Sequence, residues 1–420
     1  MVRYFLWIFV GALGACGSSV PQLALSTSEQ LAAARDLYDG ERTGDVWLQR
    51  DVQVRVETGR DAGRVTSTMR VRAAVARYAP QEQGPPVLEV LAPAGATITD
   101  ARAHETGEGV DTPVAAPTCV PAPALRRIDP TQLAFACKLP TPAAGRVVEA
   151  LVTLEVTGTL TSDAQWLGQT GGPTGELLVR YDLPSNAVGA FQLIGAEGRP
   201  VVTQQNGRTV IALYTKHVAR RDAGTETNAS APYTRFATRS ASPSGYQQDW
   251  SSTWTVATGA YQTRLVDASD ALSQGFGVPF QPAQLGPPAL TESFRWVQSR
   301  PLRKDAHAAP WDATRELPDA LQRNDLNASD QVHLLHWILS EAHIPHRFAA
   351  ARRAHWPRLD PTFPVPAAFD VPLLYAEGVG LLDPACGDCT PGQVRPDLRG
   401  GQAIVFPVDL SAGPLTDLAP

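Results

Sequence analysis

Residues 321–348 read Leu321-Gln-Arg-Asn-Asp-Leu-Asn-Ala-Ser-Asp-Gln-Val-His-Leu-Leu-His-Trp-Ile-Leu-Ser-Glu-Ala-His-Ile-Pro-His-Arg-Phe348. From Ser329 onward the pattern is helical. Leu334, Leu335, Ile338, Leu339 and Ala342 recur at the spacing of one apolar face. Ser329 reads as the N-cap. Pro345 bars the helix from continuing and biases the residue before it toward extended backbone. Opposite the leucines fall His333, His336 and His343, within about 80° of arc at roughly 100° per residue; His346 follows the proline. Two histidines at helical spacing can bind zinc, so His333, His336 and His343 are the metal-ligand candidates. No glutamate accompanies them in the His-Glu-x-x-His manner, and a solvated or inter-sheet face is the plainer reading.

Three motifs downstream belong with this helix. Phe369-Asp370-Val371 precedes one apolar run, Leu382-Asp383-Pro384 closes another, and Leu398-Arg-Gly-Gly-Gln-Ala-Ile-Val-Phe406 leads into a strand. Over about residues 290–407 the set resembles the bacterial transglutaminase-like branch of the papain-like superfamily. There Gly-Asp-Cys-Lys-Asp opens the buried helix, whose N-terminal dipole and free N–H groups favour the cysteine thiolate. Phe-Asp-His supplies the general base, and Leu-Asp-Pro supplies the aspartate that orients it. Matching on Asp330 and the Leu334–Leu335 pair puts Ala328 at the cysteine position and Val371 at the histidine position, while Asp383 keeps the third. Neither a methyl nor an isopropyl group can act as nucleophile or base.

The resemblance therefore implies a degenerate, non-catalytic domain with no cofactor, which binds a peptide, peptidoglycan or protein partner. Two alternatives stand beside it: a scaffold of an envelope complex acting through the preceding β-domain, and an active hydrolase or transglutaminase-like enzyme with unorthodox or metal-dependent chemistry. Ser329 and Asn327 are the substitute nucleophiles that the second alternative would draw on. Gly387-Asp388-Cys389 spells the family's Gly-Asp-Cys in the wrong place. Pro391 and Gly392 follow it, so no helix starts there, and the last histidine, His355, lies upstream.

At the start of the chain, Arg3 and the apolar run Tyr4–Leu13 form a targeting segment too short to span a bilayer. Leu13-Gly14-Ala15-Cys16 resembles a bacterial lipobox. That implies cleavage before Cys16, a diacylglyceryl anchor on its sulfur and a lipid bilayer as partner. Gly17, where an aspartate would hold the protein at the inner membrane, points to the outer membrane facing the periplasm. An ordinary secretory signal with a chance cysteine is the alternative.

Export fits the other cysteines. Five minus the lipidated one leaves Cys119, Cys137, Cys386 and Cys389, an even number that suggests disulfides. Pairing neighbours, 119 with 137 and 386 with 389, is the simplest of three connectivities; redox chemistry or metal binding at Cys386 and Cys389 is the alternative there. The net charge of −6 and the absence of a basic patch in the sequence argue against a nucleic-acid partner.

Between the two ends, Val52, Val54 and Val56 alternate with polar residues, as do Met69, Val71, Ala73 and Val75, and then Ala150, Val152, Leu154 and Val156. The organisation expected is a signal peptide (1–15), a lipidated cysteine and tether (16–29), a β-rich domain (30–270), a linker (271–288), a transglutaminase-like domain (289–410) and a tail (411–420). The β-rich stretch resembles, more loosely, the β-domain that often precedes transglutaminase-like domains in bacterial proteins. Trp250–Tyr261 is the best local match. Its Pro- and Ala-rich insertion, 101–139, reads as a loop clipped by a disulfide. The fold class expected is α+β: an N-terminal β-sandwich-like domain followed by a papain-like α+β domain.

Overall fold

The computed structural model describes residues 5–6, 31–32, 35–36, 44–58, 65–78, 84–107, 110–123, 125, 127–129, 132–157, 162–184, 187–196, 198–221, 232–240, 288–302, 317–359, 368–406 and 415–418. The chain divides into two compact units, one built from residues 1–226 and 230–245 and the other from 227–229 and 246–420.

The first unit holds fifteen described strands: β1 (Phe5–Leu6), β2 (Asp45–Thr58), β3 (Val65–Arg77), β4 (Val87–Ala92), β5 (Ala96–Gly107), β6 (Val110–Pro113), β7 (Thr118–Pro121), β8 (Leu133–Lys138), β9 (Val147–Thr157), β10 (Ser162–Trp166), β11 (Thr174–Pro184), β12 (Ala187–Ile194), β13 (Val201–Gln205), β14 (Arg208–Val218) and β15 (Tyr233–Ser240). They form an eight-stranded sheet ordered β13-β14-β11-β2-β3-β9-β5-β6, a four-stranded sheet β1-β12-β15-β10 and a three-stranded sheet β4-β8-β7. Alternation decides which face of the large sheet is buried. Leu213, Val179, Val52, Val71 and Val152 sit opposite one another on β14, β11, β2, β3 and β9, and all are buried. That row shares one core with Leu88 and Val90 of β4, Phe135 of β8, Phe191 of β12 and Phe236 of β15, so a single face is covered by both smaller sheets. Tyr181 stacks on Phe236 with ring centroids 4.0 Å apart, and its hydroxyl donates to Asp163 at 2.8 Å.

The second unit comprises α1 (Pro288–Gln298), α2 (Leu317–Gln322), α3 (Ala328–Glu341) and strands β16 (His346–Arg352), β17 (Val371–Ala376), β18 (Gly380–Leu382), β19 (Gln402–Val405) and β20 (Leu415–Asp417). The antiparallel sheet runs β18-β17-β16-β19-β20. Phe294 and Val297 of α1, Leu334, Leu335, Ile338 and Leu339 of α3, and Leu374, Ala376 and Leu382 of the sheet form its main core. Ala349, Ala351, Val371, Leu373, Leu398 and Ala403 form a second cluster. Residues 371 and 373 belong to that cluster while 374 and 376 belong to the helix-side core, as strand alternation requires.

The expected fold class is corrected by these elements. The chain is predominantly β, with twenty strands among the described residues, and as a whole it is more β-rich than a papain-like α+β fold. The first unit has three sheets where a two-sheet sandwich was expected. The resemblance built on the α3 segment gave helix more weight than the whole chain carries. The insertion is likewise not a loop. Residues 101–139 contain most of β5 and all of β6, β7 and β8. The short edge strand β7 tolerates Pro121, because an edge position loses no ladder hydrogen bond to the missing N–H. Cys16, Trp250–Tyr261, the linker before Pro288 and most of the tail lie outside the described residues. Phe5–Leu6, inside the expected targeting segment, pairs with β12.

Candidate functional site

The N-terminus of α3 is capped by Asn327, not by Ser329. The Asn327 side chain accepts from the Asp330 N–H at 2.8 Å, and the Asp330 carboxylate accepts from the Asn327 N–H at 2.8 Å. This reciprocal box satisfies two of the helix's otherwise orphaned donors. Asn-x-x-Asp is legible in the sequence at the spacing of a capping box, whereas Ser329 is a buried residue inside the first turn. Ala328 is the first helical residue and is buried. The helix is in fact buried nearly all round from Ala328 to Leu335, because α1 covers one side and the sheet another.

Val371 is also buried, but it sits in the cluster with Ala349, Ala351, Leu373, Leu398 and Ala403, whereas α3 packs on the face carrying Leu374, Ala376 and Leu382. The structure therefore sets Ala328 and Val371 on different sides of the sheet.

Asp383 is fully buried, and its carboxylate belongs to Arg395. The Arg395 backbone N–H and Nε donate to Oδ2 at 3.1 and 2.8 Å, and Nη2 donates to Oδ1 at 2.5 Å. Burial works to lower the Arg395 pKa. The hydrogen bond and charge of Asp383, with Asp397 and Asp370 behind it, more than offset this and hold it above its usual value. A second arginine extends the network: Arg353 lies 3.0 Å from Asp370 and 3.1 Å from Asp397. Trp356 Nε1 donates to Asp370 at 3.3 Å. Nothing in the sequence singled out Arg395; its role depends on a turn that returns the chain to Asp383 twelve residues later.

That turn carries the second disulfide. Cys386 bonds Cys389, and Gln298 of α1 donates Nε2 to both of their carbonyl oxygens. Gly392, at φ +87°, donates its N–H to Leu381 O at 3.0 Å, and a Cβ there would meet Val379 O at 2.7 Å, so only glycine fits the closure. In the first unit Cys119 bonds Cys137 directly across β7 and β8.

The histidines divide differently from the expected set. His343 sits exposed in the turn after α3 at φ +52°. His333 is buried with its ring edge-on to Phe348. His336 meets His346, with Nδ1 and Nε2 2.7 Å apart, and His346 Nδ1 lies 2.6 Å from Ile344 O. A carbonyl only accepts, so His346 carries its proton on Nδ1, and His336 must donate from its own Nδ1. Burial, then the neighbouring His346 and His333, push the His336 pKa down to about 3; burial likewise lowers that of His346. The pair is thus neutral near pH 7. Among the described residues, no three His, Cys, Asp or Glu side chains gather in a way that could hold a metal ion.

No protein family and no curated protein matches the chain. Its fold is similar to the crystal structure of a proposed protease from Parabacteroides distasonis, at 11% identity and a TM-score of 0.57, over 90% of this chain and 72% of that one. The M1 zinc metallopeptidase of Deinococcus radiodurans matches at 13% identity and a TM-score of 0.26, over 46% of this chain and 42% of the other, too little to bear on the fold.

Proposed function

We propose that the chain is a lipid-anchored cell-envelope protein whose second unit is a degenerate, non-catalytic transglutaminase-like domain, and that this unit binds a peptide, peptidoglycan or protein partner. The reading rests above all on Asp383. In a working triad that carboxylate would orient an imidazole. Here both oxygens are taken by the half-buried Arg395 guanidinium, Ala328 offers no thiol, and Val371 offers no ring and lies on the sheet face away from α3. The fold likeness to a protein described as a protease supports the ancestry and not the activity.

The test is an assay for hydrolysis and amine exchange on glutaminyl peptides, with wild type and Ala328→Cys side by side. Neither turns over, because the added thiol finds no imidazole. Turnover by the unaltered protein, insensitive to chelators and thiol reagents, overturns the reading. Cys16→Ser separately tests the anchor, and the variant should fail to acquire lipid; normal processing and membrane attachment would remove that half of the proposal.

A further inference from the structure

The outer face of the eight-stranded sheet in the first unit carries a feature that the degenerate domain does not explain. With Val52, Val54 and Val56 turned into the core, Gln53, Arg55 and Glu57 of β2 face outward. The register puts Arg180 of β11 and Arg70 of β3 on either side of Gln53, and Asp182 and Thr68 on either side of Arg55. These side chains line a hollow of about 380 Å³. That is within the size range of small-molecule sites, but the lining is far more polar than usual.

Its charges are unevenly committed. Asp182 accepts from Arg208 Nε at 2.5 Å, and Glu57 pairs with Arg55 and with Arg208 at 3.2 Å. The two acids are thus shared by arginines at the rim. Arg180 reaches Asp182 only at 3.9 Å. Arg70 is exposed, and its cross-strand neighbours, Gln53 and Thr153, are uncharged. Three arginines, Arg55, Arg70 and Arg180, and two acids, Glu57 and Asp182, line the hollow, with Arg208 at its rim and Asp51 beside Gln53. Like charges crowded on one sheet face are unfavourable unless something offsets them. Gln53 adds a directional element, since it donates Nε2 to Asp51 at 2.7 Å and keeps its carbonyl oxygen as an acceptor.

We infer that this hollow binds the oxyanion of a small ligand, a carboxylate or a phosphate, gripped between Arg70 and Arg180, with Gln53 and Thr68 contacting the polar body beside it. The two arginines stand two strands apart, roughly 10 Å at about 4.8 Å per strand, a gap that two guanidinium forks reaching inward can close on one anion. The site belongs to the first unit and is independent of the reading given for the second.

Calorimetric titration of the purified chain tests it with three probes: N-acetyl-alanyl-alanine with a free carboxylate, the same dipeptide as its amide, and inorganic phosphate. The acid or phosphate should bind saturably, more weakly as salt rises, and the amide should not. Arg70→Gln should weaken that binding at least tenfold. Arg70→Lys, which keeps charge but loses the fork, should fall between. Because Arg70 is exposed, both variants should melt like wild type. Whichever anion binds identifies the source of the oxyanion. The inference is overturned if neither anion saturates, if the amide binds as well as the acid, or if Arg70→Gln binds like wild type.

Discussion

Two polar pairs lie largely out of water in the second unit, Asp383 buried and Arg395, His336 and His346 half-buried, and they meet this in opposite ways. Asp383 keeps a full charge out of water and holds it with three hydrogen bonds from the half-buried Arg395. His336 and His346 avoid charge altogether, sharing one proton between neutral rings. An ion pair of this kind depends on both partners, since losing either strands a charge. A neutral pair depends on pH, since acid turns one ring into a cation with nowhere to go. The contrast matters for function. The first pair commits both Asp383 oxygens to Arg395, and the second ties His336 and His346 to each other at the end of α3.

Removing one partner of the charged pair should have the largest effect. Arg395→Leu leaves the Asp383 carboxylate buried with only a backbone donor, and should cost about 3–5 kcal/mol in urea unfolding. Adding Asp383→Asn should recover most of that loss. If Arg395→Leu unfolds like wild type, the pair does not hold Asp383 and the contrast collapses.

The two disulfides sharpen the same point, because one of them clips the loop that brings Arg395 back. In the loop-entropy view, opening Cys119–Cys137, eighteen residues apart, should cost about 3 kcal/mol, and opening Cys386–Cys389 about 2. Paired Cys→Ser variants compared by thermal unfolding give the order. A larger loss at 386–389 would mean that this clip also carries the charged pair.

The neutral pair should show itself as a pH slope. The folded His336 pKa of about 3 lies below its model-peptide value of 6.5, so as pH falls the unfolded chain takes up the proton first. Stability from this group is therefore complete above about pH 6.5 and is lost as pH drops toward 3, at up to ~1.4 kcal/mol per pH unit for one proton. His336→Gln retains a donor for His346 but cannot titrate, and should flatten that slope. An unchanged slope would assign the acid sensitivity to other groups.

What could be read from sequence followed locality. The alternation at Val52–Val56, Met69–Val75 and Ala150–Val156 places the core face of the large sheet, because strand periodicity is written residue by residue. The helix at Ala328–Glu341 and the β17–β18 hairpin are legible for the same reason. The overall balance of helix and strand was misjudged, since the resemblance was built on one helical segment of a chain that is mostly strand. Long-range partners left no trace. Arg395 on Asp383 and His346 on His336 depend on how turns close, and neither residue differs in type from the other arginines and histidines of the chain. The Arg70–Arg180 hollow appears only once parallel pairing of β2 with β11 puts three strands in register.

The smallest effect belongs to the N-terminus of α3, where the family would hold its thiolate. Asn327 and Asp330 satisfy each other's backbone N–H groups there. Asn327→Ala removes one acceptor and should cost about 1 kcal/mol, whereas Asn327→Ser, an equally good cap, should cost little. The comparison distinguishes a cap from a reactive group, since a residue kept for chemistry would not be replaceable by any good capper. It also sharpens the contrast between the pairs. The cap is partly solvated and pairs a neutral amide with a carboxylate, so its loss should be a fraction of that at Asp383. If Asn327→Ala instead matched Arg395→Leu in cost, the helix start would be coupled to more of the unit than its own first turn. Ala328, the residue after the cap, would then sit in the least replaceable part of the fold.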